Sequence, residues 1–178
     1  MELPDAIATE RLRLRPPHPE DAPRIHAYTA DPEVSRHLTW RPHRTMEDTH
    51  AYLAASIERR EAGRMWTYVI DAPETRGAGA IDFRPSDDGH AIMFGYVLAR
   101  PLWGRGYMTE ALRAAVAVAL DQPGVYRAWA FCKVDNAASA RVMEKAGMAY
   151  EGTLRRWAIA VNIDPDVPVD CRVYASVR

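Results

Sequence analysis

Residues 9–15, Thr-Glu-Arg-Leu-Arg-Leu-Arg, alternate polar and apolar positions with a period of two before Pro16 and Pro17 halt the run, which predicts a half-buried opening strand. Pro19, Glu20 and Asp21 put a proline and two acids where helices begin. A helix is expected from there to Asp31-Pro32, with a shorter helical turn over residues 34–38 and a loop at 39–44. Thr45 with Asp48 three positions on has the form of a capping box, and Met46, His50, Leu53 and Ile57 recur at helical spacing until Gly63. Extended segments over 65–71, 78–84 and 91–98 are separated by turn-forming residues and predict an antiparallel meander. Across 109–120 the pairs Ala111/Leu112, Ala115/Val116 and Ala119/Leu120 advance by four, one face of a helix that Pro123-Gly124 closes. A strand at 127–132, a helix at 136–146 ended by Gly147, and strands at 150–161 and 169–176 around an Asp/Pro-rich connection complete the string β-α-α-β-β-β-α-β-α-β-β. Without repeats, linker or low-complexity tract, this order predicts one α+β domain over residues 1–178, a mixed sheet with packed helices.

Composition narrows the function. At 48% apolar residues, 178 positions suffice for one substantial core. Lys and Arg number 23 against 24 Asp and Glu, so no global basic field exists to hold nucleic acid or an anionic membrane. The longest apolar stretch, residues 114–120, is too short to span a bilayer, and the acidic start lacks the layout of a signal peptide, so a cytoplasmic location is expected. Cys132 and Cys171 have neither metal-knuckle nor redox-pair spacing; both are read as structural thiols, and no metal site is expected.

The densest chemistry lies between Leu98 and Glu110, where a strand ends, Trp103-Gly104-Arg105-Gly106-Tyr107-Met108 turns sharply, and a helix begins at Thr109. Glycines let the backbone turn and bring its N–H groups against an anion, and a helix start adds unpaired donors and the positive end of its dipole. A pyrophosphate suits such a site. Arg105 can add charge to the same anion, whereas Glu110 is expected to point away and serve the helix end. Taken alone, the two glycines are equally a turn that needs them. No G-x-x-x-x-G-K-[ST] motif is present, which excludes a P-loop NTPase, and the third glycine and strand-helix-strand order of a dinucleotide fold are absent.

Gly95-Tyr96-Val97-Leu98 followed by Trp103 through Leu112 resembles the acetyl-CoA signature of the GNAT acetyltransferases, in particular the RimJ/RimL-like branch, which modifies protein N-termini. Asn136-Ala137-Ala138-Ser139, Glu144-Lys145-Ala146-Gly147-Met148 and Tyr150-Glu151-Gly152 resemble that branch's second motif, and the similarity runs from Glu10 to the strand at 170–174. Met108 stands where the family has a small residue, and Trp103 where Gln or Arg is usual outside the branch. The resemblance implies the GNAT fold: a twisted, mostly antiparallel mixed sheet of about seven strands with about four helices. It also implies that the strand ending at Val97-Leu98 is splayed from its neighbour by a bulge. Acetyl-CoA is the implied cofactor, held by Tyr96, Val97, Leu98, Trp103, Gly104, Arg105, Gly106, Tyr107, Met108, Thr109, Asn136 and Ser139. Ser139 is placed by the resemblance to protonate or stabilise the departing thiolate; the plainer reading of Asn136 and Ser139 is a helix cap and a polar first-turn residue.

No general base is assigned. Many family members carry a carboxylate on the strand before the signature, where this chain has Met93; His90, Asp82, His37, His43 and Glu151 are the candidates. An α-amine acceptor lessens the need, because with a pKa near 7.7–8.0 it is roughly a tenth neutral at pH 7. The acceptor site is expected between the first two helices, their loop and the connection at 162–168, with Trp40 over the substrate channel or as a packing anchor, and Asp164 and Asp166 near the amine. The implied activity is acetyl transfer to a primary amine, foremost a protein N-terminus. A polyamine or aminoglycoside-like acceptor, or an acetyl-CoA sensor without turnover, are the alternatives. The resemblance allows a homodimer, which no sequence stripe demands.

Overall fold

The computed structural model describes residues 3–178. They form an eight-stranded sheet in the order β1-β2-β3-β4-β5-β6-β8-β7, built from β1 (Ile7–Ala8), β2 (Arg13–Arg15), β3 (Trp66–Ala72), β4 (Thr75–Pro85), β5 (Ala91–Leu98), β6 (Arg127–Lys133), β7 (Ala149–Ala160) and β8 (Asp164–Val177). Five α-helices flank it: α1 (Ala22–Thr29), α2 (Pro32–Ser35), α3 (Met46–Glu61), α4 (Tyr107–Asp121) and α5 (Ala137–Lys145). All neighbouring strands are antiparallel except β5 and β6, which run parallel.

The mixed α+β sheet expected from the residue pattern is present, with one strand and one helix more than the expected numbers, and the differences have local causes. The opening run is not one strand. Thr9 N donates to Leu12 O at 2.9 Å and Leu12 N donates to Thr9 Oγ1 at 2.9 Å, so a turn divides it and Ile7 pairs with Leu14. A threonine hydroxyl offers the backbone a partner that competes with the sheet ladder, which the alternating pattern does not register. The Asp/Pro-rich segment likewise proves to be mostly strand, because the chain reverses over residues 161–163 and Ala160 pairs with Asp164. Pro165 and Pro168 fit there because the β6–β8 ladder ends at Lys133 and Cys171, leaving this part of β8 with β7 as its one neighbour. The short second helix starts earlier than expected, with Pro32 in its first turn and Asp31 Oδ1 accepting from Glu33 N at 3.0 Å. The Thr45–Asp48 capping box is formed as expected.

Helix α4 buries Ala111, Leu112, Ala115, Val116 and Ala119 against one face of the sheet, with Ile81, Phe83, Ile92 and Phe94 beneath. Phe83 joins Tyr68 and Phe94 at ring-centroid distances of 5.2 and 5.0 Å. On the opposite face α1 and α3 bring Ile25, Tyr28 and Leu53 onto Val69. Each fully buried aliphatic side chain here contributes about 1.5–3 kcal/mol of transfer free energy.

The decisive feature is the parallel seam. Strands β5 and β6 pair only at Ala91–Arg127, Ile92–Ala128 and Met93–Trp129, although β5 continues to Leu98 and β6 to Lys133. Beyond Met93 each strand stays with its outer neighbour, β5 with β4 and β6 with β8, so the twist of the two half-sheets draws the strands apart. The expected splay is therefore present, but without the expected bulge on β5: its register with β4 is unbroken from Ile92–Pro85 to Leu98–Gly79.

Candidate active site

A cleft of about 1820 Å³ runs through this opening, from the start of α4 to the face covered by α1 and α3. At the α4 end, Gly104 and Gly106 hold φ of 75° and 81°, a left-handed conformation that glycine adopts without a Cβ penalty. Gly106 is the N-cap residue of α4, and among the described residues no side chain caps the helix, so its first N–H groups remain available to an outside acceptor. Nothing lies within 4 Å of where a Gly104 Cβ would stand, which leaves room for an anion against the bare backbone. Trp103 anchors the turn to the strand before it, its Nε1 donating to Leu98 O at 2.8 Å.

Of the residues expected around the cofactor, Tyr96, Val97, Leu98, Trp103, Gly104, Gly106, Tyr107, Met108, Thr109, Asn136 and Ser139 line this cleft. Arg105 does not. Its guanidinium turns outward to Glu74, with Nη1 at 2.8 Å from Oε1, because the positive φ values on either side swing residue 105 away from the concave side of the turn. Tyr107 lines the cleft with its ring beneath the Arg11 guanidinium, 4.7 Å from the centroid, while its hydroxyl donates to Glu74. Glu110 does not serve its own helix end; it accepts from Thr9 Oγ1, Arg11 N and Arg11 Nε, fastening the turn between β1 and β2 to α4. Burial works against its charge, but these donors hold the carboxyl below its usual range. Arg113, Arg141 and Lys145 also line the cleft and went unread in the sequence. The readable signal is their spacing: Arg113 stands four residues after Thr109, and Arg141 four before Lys145, which puts each pair on one helix face.

Where the strands have parted, Tyr96 Oη lies 2.7 Å from Ser139 Oγ. Burial pushes the Tyr96 phenol up, so the pair holds its protons at neutral pH. Asn136 takes the plainer of its two expected roles, its Oδ1 accepting from Ser139 N at 3.1 Å as the cap of α5. That cap fixes the first turn of α5, and with it the hydroxyl of Ser139. Cys132 lies in the same part of the cleft, its thiol pushed up to about 11 by burial and therefore a poor nucleophile. Both cysteines are free and buried.

The far end carries the acceptor-side candidates. Asp82 pairs in register with Gly95; its Oδ1 accepts from Thr67 Oγ1 at 2.8 Å and its Oδ2 from Arg84 Nη2 at 2.7 Å. Among the residues considered as a base, Asp82, His37 and His43 line the cleft. His90 instead pairs with Asp88 at the β4–β5 turn, and Glu151 with Arg127, both outside the cleft lining. Burial lowers the His37 and His43 imidazoles, which keeps them neutral at pH 7. His43 Nδ1 is 2.9 Å from Thr49 Oγ1, and its ring stands between Trp40 and Tyr52 at centroid distances of 5.4 and 5.8 Å. Trp40 lines the cleft, and its loop is held from the β7–β8 turn by Asn162, whose Nδ2 donates to Ser35 O and Trp40 O at 2.6 and 2.8 Å. Asp164 and Asp166, expected near the amine, are exposed on β8 and do not line the cleft, because the segment that carries them is part of the outer hairpin.

The model of the acetyltransferase (GNAT) domain family matches residues 11–149. The chain is 27% identical over 176 residues to an uncharacterized N-acetyltransferase, YoaA, of Bacillus subtilis, covering 97% of this chain and 96% of that protein. It is 27% identical over 158 residues to the [ribosomal protein uS5]-alanine N-acetyltransferase of Escherichia coli, covering 82% of this chain and 79% of the relative. Its fold superimposes on that of RimL, a ribosomal L7/L12 alpha-N-protein acetyltransferase solved with coenzyme A, at a TM-score of 0.83, with 22% identity and 97% of both chains covered.

Proposed function

The chain belongs to the GNAT acetyltransferase family, acyltransferases acting on nitrogen, and from that premise we propose that it transfers the acetyl group of acetyl-CoA to a protein or peptide N-terminal α-amine. The observation that carries this reading is the β5–β6 seam, open past Met93 and leading directly to the uncapped start of α4. A flexible chain ending in a pyrophosphate needs both: a slot with free backbone groups along one side, and a cluster of N–H donors at its end. The relative named as a [ribosomal protein uS5]-alanine N-acetyltransferase supports the choice of a protein acceptor.

The bound cofactor supplies the acetyl group as a thioester. In this reading the turn from Trp103 to Thr109 would hold the pyrophosphate through backbone N–H groups, with Arg113, Arg141 and Lys145 available to further phosphate charge. The edge of β5 at Tyr96, Val97 and Leu98, unpaired with β6 though Leu98 O is taken by Trp103, would hold the pantetheine arm and polarise the acetyl carbonyl, stabilisation by dipoles set in place before reaction. Asn136, besides capping α5, would contact the same arm. Ser139, its hydroxyl held by Tyr96, would give a proton to the departing sulfur and recover one from the acylated nitrogen through water. Asp82 is the carboxylate nearest in kind to the missing strand acid, one strand over from Met93. Trp40 covers the acceptor channel. The whole chain, residues 1–178, serves as one domain for this activity, in the cytoplasm where nascent N-termini are found.

The test is thiol release from acetyl-CoA against N-terminal peptides, lysine peptides, polyamines and aminoglycosides, beside calorimetric titration of coenzyme A. Turnover confined to N-terminal peptides is the expected result. Turnover confined to polyamines or aminoglycosides replaces the acceptor, and tight binding without any turnover replaces the enzyme by a sensor.

A further inference from the structure

Between α1 and α3 one hydroxyl joins two imidazoles that the steps above do not use. Thr49 is fully buried; its Oγ1 lies 2.8 Å from His26 Nδ1 and 2.9 Å from His43 Nδ1 and makes no other hydrogen bond among the described residues. A hydroxyl has one proton to give, so at least one of the two rings must hold a proton on Nδ1, and a neutral ring that does so presents a bare Nε2. The Nε2 of each ring has no partner among the described residues, and neither atom is sealed from solvent. His43 lines the cleft and His26 does not, so the three side chains cross the packing of α1 on α3 from the cleft to the surface beyond it. His43 also stands on the acceptor side of β5: Tyr52, 5.8 Å from it between ring centroids, packs in the same small cluster as Val97. Its backbone N donates to Thr29 O at 3.0 Å, which fixes the ring against the end of α1.

We propose that His43 Nε2 takes a proton from the acceptor ammonium and that Thr49 and His26 pass one on to solvent, a relay through the wall of the cleft. This rests on the acetyl-transfer reading and gives it the base that the residue pattern left open. Before transfer, His43 donates from Nδ1 to Thr49, whose hydroxyl donates to His26 Nδ1. The ammonium proton then passes to His43 Nε2, the Nδ1 proton to Thr49 Oγ1, the hydroxyl proton to His26 Nδ1, and the Nε2 proton of His26 to water. The amine, now neutral, can attack; the second proton its nitrogen loses goes to the departing sulfur by way of Ser139, so each turnover releases one proton. Once product has gone, water protonates His26 Nε2 and removes the proton from His43 Nε2, which restores the first state. Asp82 is less suited to the task, because both of its oxygens already accept, from Thr67 and Arg84. Around the His43 ring stand Thr49 and Tyr52 from α3 and Trp40 from its own loop, with Asp48 favouring its cation and His26 opposing it. Burial is the largest influence and holds the imidazole below the ordinary histidine range, so it is a free proton acceptor at neutral pH.

The experiment pairs imidazole nitrogen NMR with thiol-release rates on peptide amides for wild type, His43→Gln, Thr49→Val and Thr49→Ser. In wild type at neutral pH the spectrum should show one of the two Nδ1 atoms protonated and the other bare. Thr49→Val keeps the buried shape and should abolish that pairing, whereas Thr49→Ser should keep it. An α-amine is already about a tenth neutral at pH 7, so His43→Gln should lower kcat/KM there by about tenfold, and the loss should shrink towards nothing by about pH 9, where the amine is neutral unaided. Thr49→Val should show a smaller loss with the same pH course, restored by Thr49→Ser. Calorimetric binding of coenzyme A should be unchanged in all three variants, since none of them touches the turn before α4. A loss of equal size at low and high pH would make His43 a packing residue and overturn the relay. Two Nδ1 atoms in the same state in an active wild type would overturn the relay alone. The paired nitrogen pattern in a wild type that acetylates no amine would instead overturn the transfer reading, and the relay's role with it.

Discussion

Strand β3 carries an arginine–carboxylate cluster at each end, and the two differ in how completely they are satisfied. At one end Arg15 reaches both Asp21, with Nη2 2.7 Å from Oδ1, and Asp71, with Nε 2.8 Å from Oδ2; His18 N and Gly77 N donate to the same two carboxylates. At the other, Thr67 and Arg84 donate to Asp82, yet Arg84 Nε and the Tyr28 hydroxyl are left over. The chemistry is alike and the surroundings are not. The first cluster is enclosed where β2, β3 and α1 meet and ties the edge of the sheet to the helices, whereas the second opens on the cleft. A polar network with every atom paired rigidifies a fold, whereas a buried donor left unpaired costs stability.

The strongest test of that contrast removes the central cation of the satisfied cluster. Arg15→Met leaves Asp21 and Asp71 buried without their partner and should cost about 3–5 kcal/mol in chemical denaturation. Asp82→Asn keeps a hydrogen-bonding group between Thr67 and Arg84 and should cost no more than about 1.5 kcal/mol while raising the acceptor KM. Equal losses would erase the distinction. The satisfied cluster should also respond to acid. Burial raises the Asp21 carboxyl, but Arg15 and His18 N outweigh it and set it below the usual value, so its contribution is present above the unfolded pKa near 3.9 and lost as pH falls through the lower folded value. Urea midpoints measured from pH 6 down to pH 2 should fall in that window, and less steeply in Arg15→Met.

The cofactor end supplies a third kind of pair, in which two hydroxyls satisfy each other. Ser139→Ala should lower kcat by about 10- to 100-fold and leave coenzyme A affinity within about a factor of two, as expected of a proton donor that is not a binding contact. A comparable loss of affinity would make the serine part of the binding wall. Gly106→Ala imposes a Cβ at φ 81° and should cost about 1–2 kcal/mol of stability, with coenzyme A binding weakened by about tenfold because the α4 N–H groups shift. Arg105→Ala should do least. Its exposed pair with Glu74 is worth about 0–1 kcal/mol, and coenzyme A affinity should change by less than about threefold.

These sites were legible in the sequence to different degrees. The G-x-G turn, the start of α4 and the Asn136–Ser139 segment are read directly because their chemistry belongs to contiguous backbone: two glycines and a helix start suffice to present N–H groups, whatever surrounds them. The direction of a long flexible side chain is not local in that sense. Arg105 is drawn outward by Glu74, a residue of the β3–β4 turn, and Glu110 is claimed by Thr9 and Arg11, a hundred positions or so away along the chain. The opening turn was hidden for a related reason: Thr9 diverts the backbone of an alternating run, and periodicity records side-chain polarity rather than hydrogen-bond choice.

Residue order by itself determined most of the succession of helices and strands, the family and the glycine turn before α4, because periodicity, glycine and capping act over a few residues. Only tertiary structure decided where the parallel seam opens and what faces it. Met93 marks the end of pairing because β5 and β6 each have an outer partner to follow as the sheet twists. Tyr28, Asp82, Arg84 and Gly95, from α1, β4 and β5, line the same cleft because those elements pack around it; nothing in the spacing of the four residues announces it. Whether a buried donor is satisfied depends on every neighbour in space, and that is settled when the chain has folded.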